Sequence, residues 1–147
     1  MLKIALCVVS LVLFPITAAG GPKEDAQAVA DKFIASFVAA DLESTVGLFA
    51  PDALFWGTTM GELGTAPEAV RKYFAASYAA RANTPVTSAR IVDGATTILS
   101  DDAVLIAGRW QVERPNAISA LRYTFVIHRK AGQWKIAHLH SSPRPAQ

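Results

Sequence analysis

The C-terminal half of the chain consists of four long segments that are rich in strand-forming residues and are separated by very short turns. In chain order these segments are 86–99, 103–114, 118–129 and 134–141. The three turns that join these segments span only two or three residues each, at 100–102, 115–117 and 131–132. Connections of this length join antiparallel neighbours in a sheet. The sequence therefore predicts an antiparallel meander of four strands.

The part of the chain that precedes this meander has a helical pattern. Apolar residues recur at three- and four-residue spacing from Ala26 to Val38, which is typical of one buried helix face. Asp41 is placed to cap a second, short helix, and the Thr-Ala-Pro-Glu sequence at 65–68 predicts a capping box that starts a third. The helices can bury their apolar faces only against one face of the sheet. We therefore expect an α+β fold in which a curved antiparallel sheet wraps around N-terminal helices as an open cone.

Residues 1–20 have the pattern of a secretory signal peptide. A basic residue is followed by the apolar run 4–14 and by small residues at 17–20. This run is short for a membrane span, which needs about 20 apolar residues, although an uncleaved anchor is the alternative. The only cysteine, Cys7, lies within it, so the mature chain would suit an oxidising compartment. We expect one domain over 21–147, exported to the periplasm or secreted, with no membrane contact after signal removal.

Charge and motifs exclude several classes of partner. The chain has 14 basic and 12 acidic residues, a balance that gives no electrostatic reason to bind nucleic acid or anionic lipid. The sequence contains no phosphate-binding loop, no nucleophile elbow and no dinucleotide-binding glycine motif. No cofactor is therefore expected.

All three histidines, His128, His138 and His140, lie in the last two predicted strands. If these strands pair symmetrically about the turn between them, Phe125 lies opposite His138 and Tyr123 opposite His140. Side chains alternate between the two faces of a sheet, so these four would share one face and His128 would point the other way. Two histidines alone rarely hold zinc, and we expect no metal site.

The face that carries the histidine pair is the predicted wall of a ligand pocket. The candidate ligand-binding residues are Trp56, Arg109, Tyr123, Phe125, His138 and His140. Arg109 is expected to act as an anion clamp inside the cone, and a solvent-facing strand residue is the alternative. His138 and His140 are expected to be polar contacts in an aromatic wall. They are also the candidates for acid–base catalysis, with packing against hydroxyl groups as the alternative.

The stretch 128–142, with Gly132, Trp134, His138, His140 and a following serine, resembles the C-terminal hairpin of the calcium/calmodulin-dependent protein kinase II association domain. It also resembles small bacterial SnoaL-like proteins of the NTF2-like superfamily, including the SgcJ/EcaC group. The segments 54–58, 65–68 and 73–74 fit the same group, and the resemblance covers 24–143. It implies a curved sheet around helices, a conical pocket, and dimerisation through the outer face of the sheet.

The resemblance also has implications for ligands. In the kinase association domain, arginines inside the pocket bind carboxylate-type ligands. Arg109 falls at the position of one of these arginines, and Phe125 falls at another, which implies a more apolar pocket here.

We therefore expect a domain that binds a small hydrophobic or weakly acidic molecule and forms a homodimer. The alternative is a cofactor-independent isomerase or cyclase, as in other members of the superfamily, with Tyr123 as a hydrogen-bond donor. The SgcJ/EcaC group also carries an oxidoreductase label. A third possibility is an architectural dimer whose cone is filled.

Overall fold

The computed structural model describes residues 20–144, so the predicted signal peptide at 1–20 lies, apart from Gly20, outside the described residues. The described chain forms three helices, namely α1 (Pro22–Ala39), α2 (Leu42–Gly47) and α3 (Glu68–Ala79). It forms six strands, namely β1 (Phe49–Trp56), β2 (Gly64–Thr65), β3 (Ser88–Ser100), β4 (Ala103–Arg114), β5 (Ala117–Lys130) and β6 (Gln133–Pro143). No helix among residues 20–144 is long and apolar enough to cross a membrane.

The six strands form one curved, open sheet in the order β2-β1-β6-β5-β4-β3. The long strands β3 to β6 pair antiparallel in sequence order, which confirms the predicted meander. The last strand, β6, returns beside β1 and runs parallel to it. Between them, α3 carries the chain from β2 at one edge of the sheet to β3 at the other. The predicted α+β cone is confirmed.

The core lies between α1 and the inner face of the sheet, and Phe33 is at its centre. Phe33 is 2% exposed, and its ring centroid lies 6.1 Å from that of Phe49, 5.8 Å from that of Phe74 and 5.3 Å from that of Phe125. These contacts join α1 to β1, α3 and β5. One side chain of α1 thus connects four elements of the fold.

Of the two predicted helix caps, the one at Asp41 is confirmed and the one at 65–68 is wrong. Asp41 caps α2 as expected, since its Oδ1 accepts a hydrogen bond of 3.0 Å from the backbone N–H of Ser44. The predicted capping box at 65–68 is wrong, because α3 begins at Glu68 with Pro67 before it and no side-chain cap. Thr65 is extended and pairs with Leu54 in the β1–β2 ladder, so it is not free to cap a helix.

The last hairpin contains a β-bulge that the predicted register did not include. Ile127 pairs with Ile136, but the next residue of β5, Val126, pairs with His138, so Ala137 is passed over. One additional residue in one strand reverses the faces of all residues beyond it. The predicted pairing of Phe125 with His138 is therefore wrong, and Phe125 pairs with Leu139 instead.

Candidate functional site

The bulge in β6 places the histidines outside the cone. His138 lies opposite Val126 and His140 opposite Thr124, which alternate with the inward-facing Phe125, while Leu139 is 3% exposed and takes the inward position. His128 is in phase with Val126 and Thr124, so it shares this outer face. The prediction that His128 points to the opposite face of the sheet from His138 and His140 is therefore wrong. The expected position of His138 and His140 in the pocket wall is wrong as well.

The three histidines are not arranged as a metal centre in the structure. Within residues 20–144, no group of three or more histidine, cysteine, aspartate or glutamate side chains is close enough to hold an ion. Among residues 20–144, the Nε2 atom of His128 is buried without a hydrogen-bond partner, and the ring of His140 lies 6.2 Å from that of Trp56. The contact between His140 and Trp56 is a packing contact of the outer face.

We expect His138 to make the stability of the protein depend on pH. Burial lowers the pKa of His138 from its usual value of 6.5. The unfolded chain then binds the proton more readily than the folded chain, so stability decreases as the pH falls through 6.5. Urea denaturation at several pH values from about 7.5 to about 5 should show a smaller decrease in the free energy of unfolding for His138→Gln than for the wild type. Parallel curves for the two proteins would contradict this expectation.

Arg109 also lies on the outer face, because it alternates along β4 with the buried Trp110. Its Nε donates a hydrogen bond of 2.6 Å to Oδ2 of Asp93, and the Asp93 Oδ1 accepts from the Arg109 backbone N–H. The guanidinium holds the pKa of the Asp93 carboxyl below its usual value. The expected anion clamp inside the cone is therefore wrong for this residue, since its charge is balanced outside by Asp93.

The three aromatic candidates take three different positions. Phe125 is 2% exposed and belongs to the core around Phe33. Trp56 is 40% exposed at the outer face, where its Nε1 donates a 2.9 Å hydrogen bond to the carbonyl of Met60. Tyr123 is buried beside a shallow groove of about 720 Å³ between α1 and β3, and its hydroxyl has no hydrogen-bond partner among the described residues. The structure does not bring the six predicted residues together in one site.

A large cavity of the described chain is the inside of the cone, with a volume of about 1110 Å³. It lies between α1, α3 and the inner face of the sheet, and its wall includes six aromatic side chains, namely Phe33, Phe37, Phe55, Tyr73, Phe74 and Trp110. Its rim includes the exposed residues Glu62, Leu63 and Thr84. A cleft whose lining combines apolar and aromatic side chains with a smaller number of polar ones is the usual form of a small-molecule site, which commonly measures about 300–1,000 Å³.

One charged side chain is buried in this wall. Arg81 follows α3, is 8% exposed, and stacks with its guanidinium carbon 3.9 Å from the ring centroid of Phe37. Its Nη1 donates to the carbonyl of Phe37 at 2.9 Å and its Nη2 to the hydroxyl of Ser77 at 3.2 Å. Its Nε is buried with no acceptor in the part of the chain that the structure describes, as is the Nε1 of Trp110 in the same wall.

The sequence contains signals for Arg81 and for Arg114, which lines the same cavity from β4. Val70, Phe74, Tyr78 and Arg81 follow one another at spacings of four, four and three, so Arg81 continues the apolar face of α3. A charged residue that continues the buried face of a helix is an indication of a ligand-binding site. Likewise, Arg114 has the same strand parity as the apolar Trp110 and Val112, whereas Arg109 has the opposite parity.

A curved sheet that wraps around helices and encloses an aromatic cavity defines an NTF2-like domain. Residues 23–144 match the family model described as NTF2-like protein (DUF6841), and the chain belongs to this family. The predicted membership of the NTF2-like superfamily is confirmed. None of the curated proteins matches the chain significantly.

Solved structures show the same fold. A protein from Xanthomonas campestris, provisionally named a calcium/calmodulin-dependent protein kinase II association domain, has 23% identity over 96% of this chain and 99% of its own, with a TM-score of 0.73. An NTF2-like protein of unknown function from Pseudomonas putida has 13% identity over 82% of this chain and 84% of its own, with a TM-score of 0.73. A protein with a cystatin-like fold from Caulobacter vibrioides has 13% identity over 83% of this chain and 89% of its own, with a TM-score of 0.69.

Proposed function

We propose that this domain binds a small, largely apolar molecule in the cavity of the cone. The observation that carries the proposal is the cavity itself, which has a volume of about 1110 Å³ and a wall that includes six aromatic rings. Burying such rings against a ligand is favourable by about 25 cal/mol for each Å² of apolar surface removed from water. A filled, purely architectural cone would have no such space.

The chemistry of the wall supports binding over catalysis. Within residues 20–144, no histidine lines the cavity, and the only carboxylate that lines it, Glu62, is exposed at the rim. Acid–base catalysis needs a titratable group within hydrogen-bond reach of the reacting atom. With His138 and His140 on the outer face, the isomerase or cyclase alternative loses the residues that motivated it.

Dimerisation and export complete the proposal. The outer face of the sheet exposes Leu54 by 42% and Trp56 by 40%, and large exposed apolar side chains beside each other are typical of an association surface. A homodimer through this face is therefore part of the proposed function. Export rests on the pattern of residues 1–20 alone.

The proposal can be tested by blocking the cavity. The neutral fluorescent probe N-phenyl-1-naphthylamine should bind the wild type with enhanced emission, as it does in apolar surroundings. Ala76 lies on α3, is exposed and lines the cavity, so Ala76→Trp should reduce the affinity for the probe by about ten-fold or more by filling the space. Fluorescence titration gives the dissociation constants.

The adjacent residue provides the matched control. Ala75 lies on the same helix and is also exposed, but it does not line the cavity, so Ala75→Trp should bind the probe as the wild type does. Equal loss of affinity in both variants, or no binding to the wild type, would contradict the proposal.

A further inference from the structure

A second depression lies outside the cone, between α1 and the edge strand β3. It is the groove of about 720 Å³ beside Tyr123, and among residues 20–144 it shares no lining residue with the cavity of the cone. Its lining includes apolar side chains of α1, β3 and β4, namely Ile34, Val38, Ile91 and Ile106. The helix α1 thus borders two separate spaces, since Phe33 and Phe37 line the cone whereas Ile34 and Val38 line the groove.

The side chain of Tyr123 is directed along the inner face of the sheet toward this groove. Tyr123 on β5 pairs with Gly108 on β4, which in turn pairs with Gly94 on β3. The two glycines have no side chains to fill this row of the sheet, and a Cβ atom at Gly94 would lie 2.8 Å from the Tyr123 hydroxyl oxygen. The phenol ring therefore crosses β4 and brings its hydroxyl to β3, where the groove lies.

The hydroxyl of Tyr123 is a hydrogen-bond donor without an acceptor. The residue is 4% exposed, and among residues 20–144 its hydroxyl has no hydrogen-bond partner. A buried polar group without a partner is unfavourable, and most such groups in folded proteins are paired. Burial raises the pKa of the Tyr123 phenol, and the negative charge of Asp93 acts in the same direction, so the hydroxyl stays protonated near neutral pH. It is thus able to donate to a ligand.

The charges around the groove favour a neutral ligand. The charged side chains that line it within the described range are Asp31 and Arg90, and both are exposed. Asp31 accepts a 2.9 Å hydrogen bond from Gln27. Arg90 donates a 2.8 Å hydrogen bond to Gln111, and its Nε lies 3.6 Å from Oε1 of Glu113. Because the guanidinium is already paired, the groove has no excess of positive charge that would attract an anion.

We propose that this groove is a second binding site, for a neutral, apolar molecule whose carbonyl oxygen accepts a hydrogen bond from the Tyr123 hydroxyl. The site is separate from the cavity of the cone and goes beyond the function proposed for that cavity. The apolar part of the ligand lies against Ile34, Val38 and Ile106, and the one buried donor fixes its orientation. A carbonyl suits this donor because it accepts from a neutral phenol without bringing a charge into the groove.

A matched pair of neutral probes tests the proposal. 2-Acetylnaphthalene and 2-isopropenylnaphthalene have nearly the same shape, but a CH₂ group replaces the carbonyl oxygen in the second. Binding is followed by the backbone amide NMR signals of Gly94 and Thr96, which line the groove, and of Gly57, which lines the cone. The ketone should shift the groove signals and bind there about five-fold or more tightly than the hydrocarbon. The groove signals should respond equally in the wild type and in Ala76→Trp, whose cone is blocked.

Three variants locate the effect. Tyr123→Phe removes only the hydroxyl and should bind both probes equally. It should also be at least as stable as the wild type in urea denaturation, because a buried hydroxyl without a partner is removed. Ala35→Trp fills the groove from α1 and should weaken binding there by about ten-fold or more. Ala28→Trp is the matched control, since Ala28 is exposed on the same helix but does not line the groove.

The outcomes separate this site from the proposed function. Equal affinities of the wild type for the two probes, or a preference for the ketone that persists in Tyr123→Phe, would overturn the proposal. Groove signals that stay unchanged while the Gly57 signal moves would overturn the second site and leave the function proposed for the cone standing. A Tyr123→Phe protein that is markedly less stable than the wild type would show that the hydroxyl has a partner within the protein, which also contradicts the proposal.

Discussion

Phe33→Ala is expected to lower the free energy of unfolding by about 3–5 kcal/mol, the usual range for removing a buried phenylalanine. The ring is 2% exposed and contacts aromatic side chains from α3, β1, β4 and β5, so the cavity left behind cannot close by the movement of one neighbour. The loss therefore includes both the transfer of the ring and the lost packing around it. Urea denaturation monitored by circular dichroism measures the change.

An exposed apolar residue provides the control for this change. Ile118 is 66% exposed on β5, and Ile118→Ala removes a large apolar side chain from the surface without opening the core. Its unfolding midpoint should remain close to that of the wild type. A Phe33→Ala protein as stable as the Ile118→Ala protein would show that Phe33 is not the centre of the core.

Gly108→Ala is expected to lower the free energy of unfolding by about 1–3 kcal/mol, although alanine is usually better than glycine within a strand. A Cβ atom at Gly108 would lie 2.6 Å from the Cα of Gly94 and would also overlap the backbone carbonyl of Asp93. These are backbone atoms of the neighbouring strand, so no side-chain rotation can remove the overlap. β3 would have to move away from β4, which would also disturb the Asp93–Arg109 pair.

A glycine in open space provides the matched control. A Cβ atom at Gly61 would have no atom within 4 Å, so Gly61→Ala should leave the free energy of unfolding unchanged or raise it slightly. Chemical denaturation of both variants gives the comparison. Equal or higher stability of Gly108→Ala would mean that the two strands are not in close contact at this point.

The sequence predicted the fold well because the signals for the fold are local. The helical spacing of 26–38, the cap at Asp41 and the short turns of the meander each depend on residues close together in the chain. Such periodicities are the most reliable signals in a sequence. The capping box at 65–68 failed because a distant contact, the pairing of Thr65 with Leu54, took precedence over the local pattern.

The candidate site was predicted poorly because it depends on two long-range features. The β-bulge at Ala137 reverses the faces of the last strand, and no local pattern in the turn indicates it. Arg81 becomes a cavity residue through its contact with Phe37, which lies 44 positions earlier in the chain. The similarity to the kinase association domain correctly predicted a cone. The site residue that it predicted, Arg109, lies instead on the outer face of β4, where it pairs with Asp93.

The bulge at Ala137 makes the chemistry of the cavity depend on strand register as well as on residue type. Leu139 and Ser141 face inward only because Ala137 is passed over between the pairs Ile127–Ile136 and Val126–His138. In a regular ladder Ala137 would pair with Val126, and His138 and His140 would take the inward positions while Leu139 and Ser141 turned outward. One backbone irregularity therefore keeps two imidazoles out of the cavity wall, with no change of sequence needed to exchange one wall for the other.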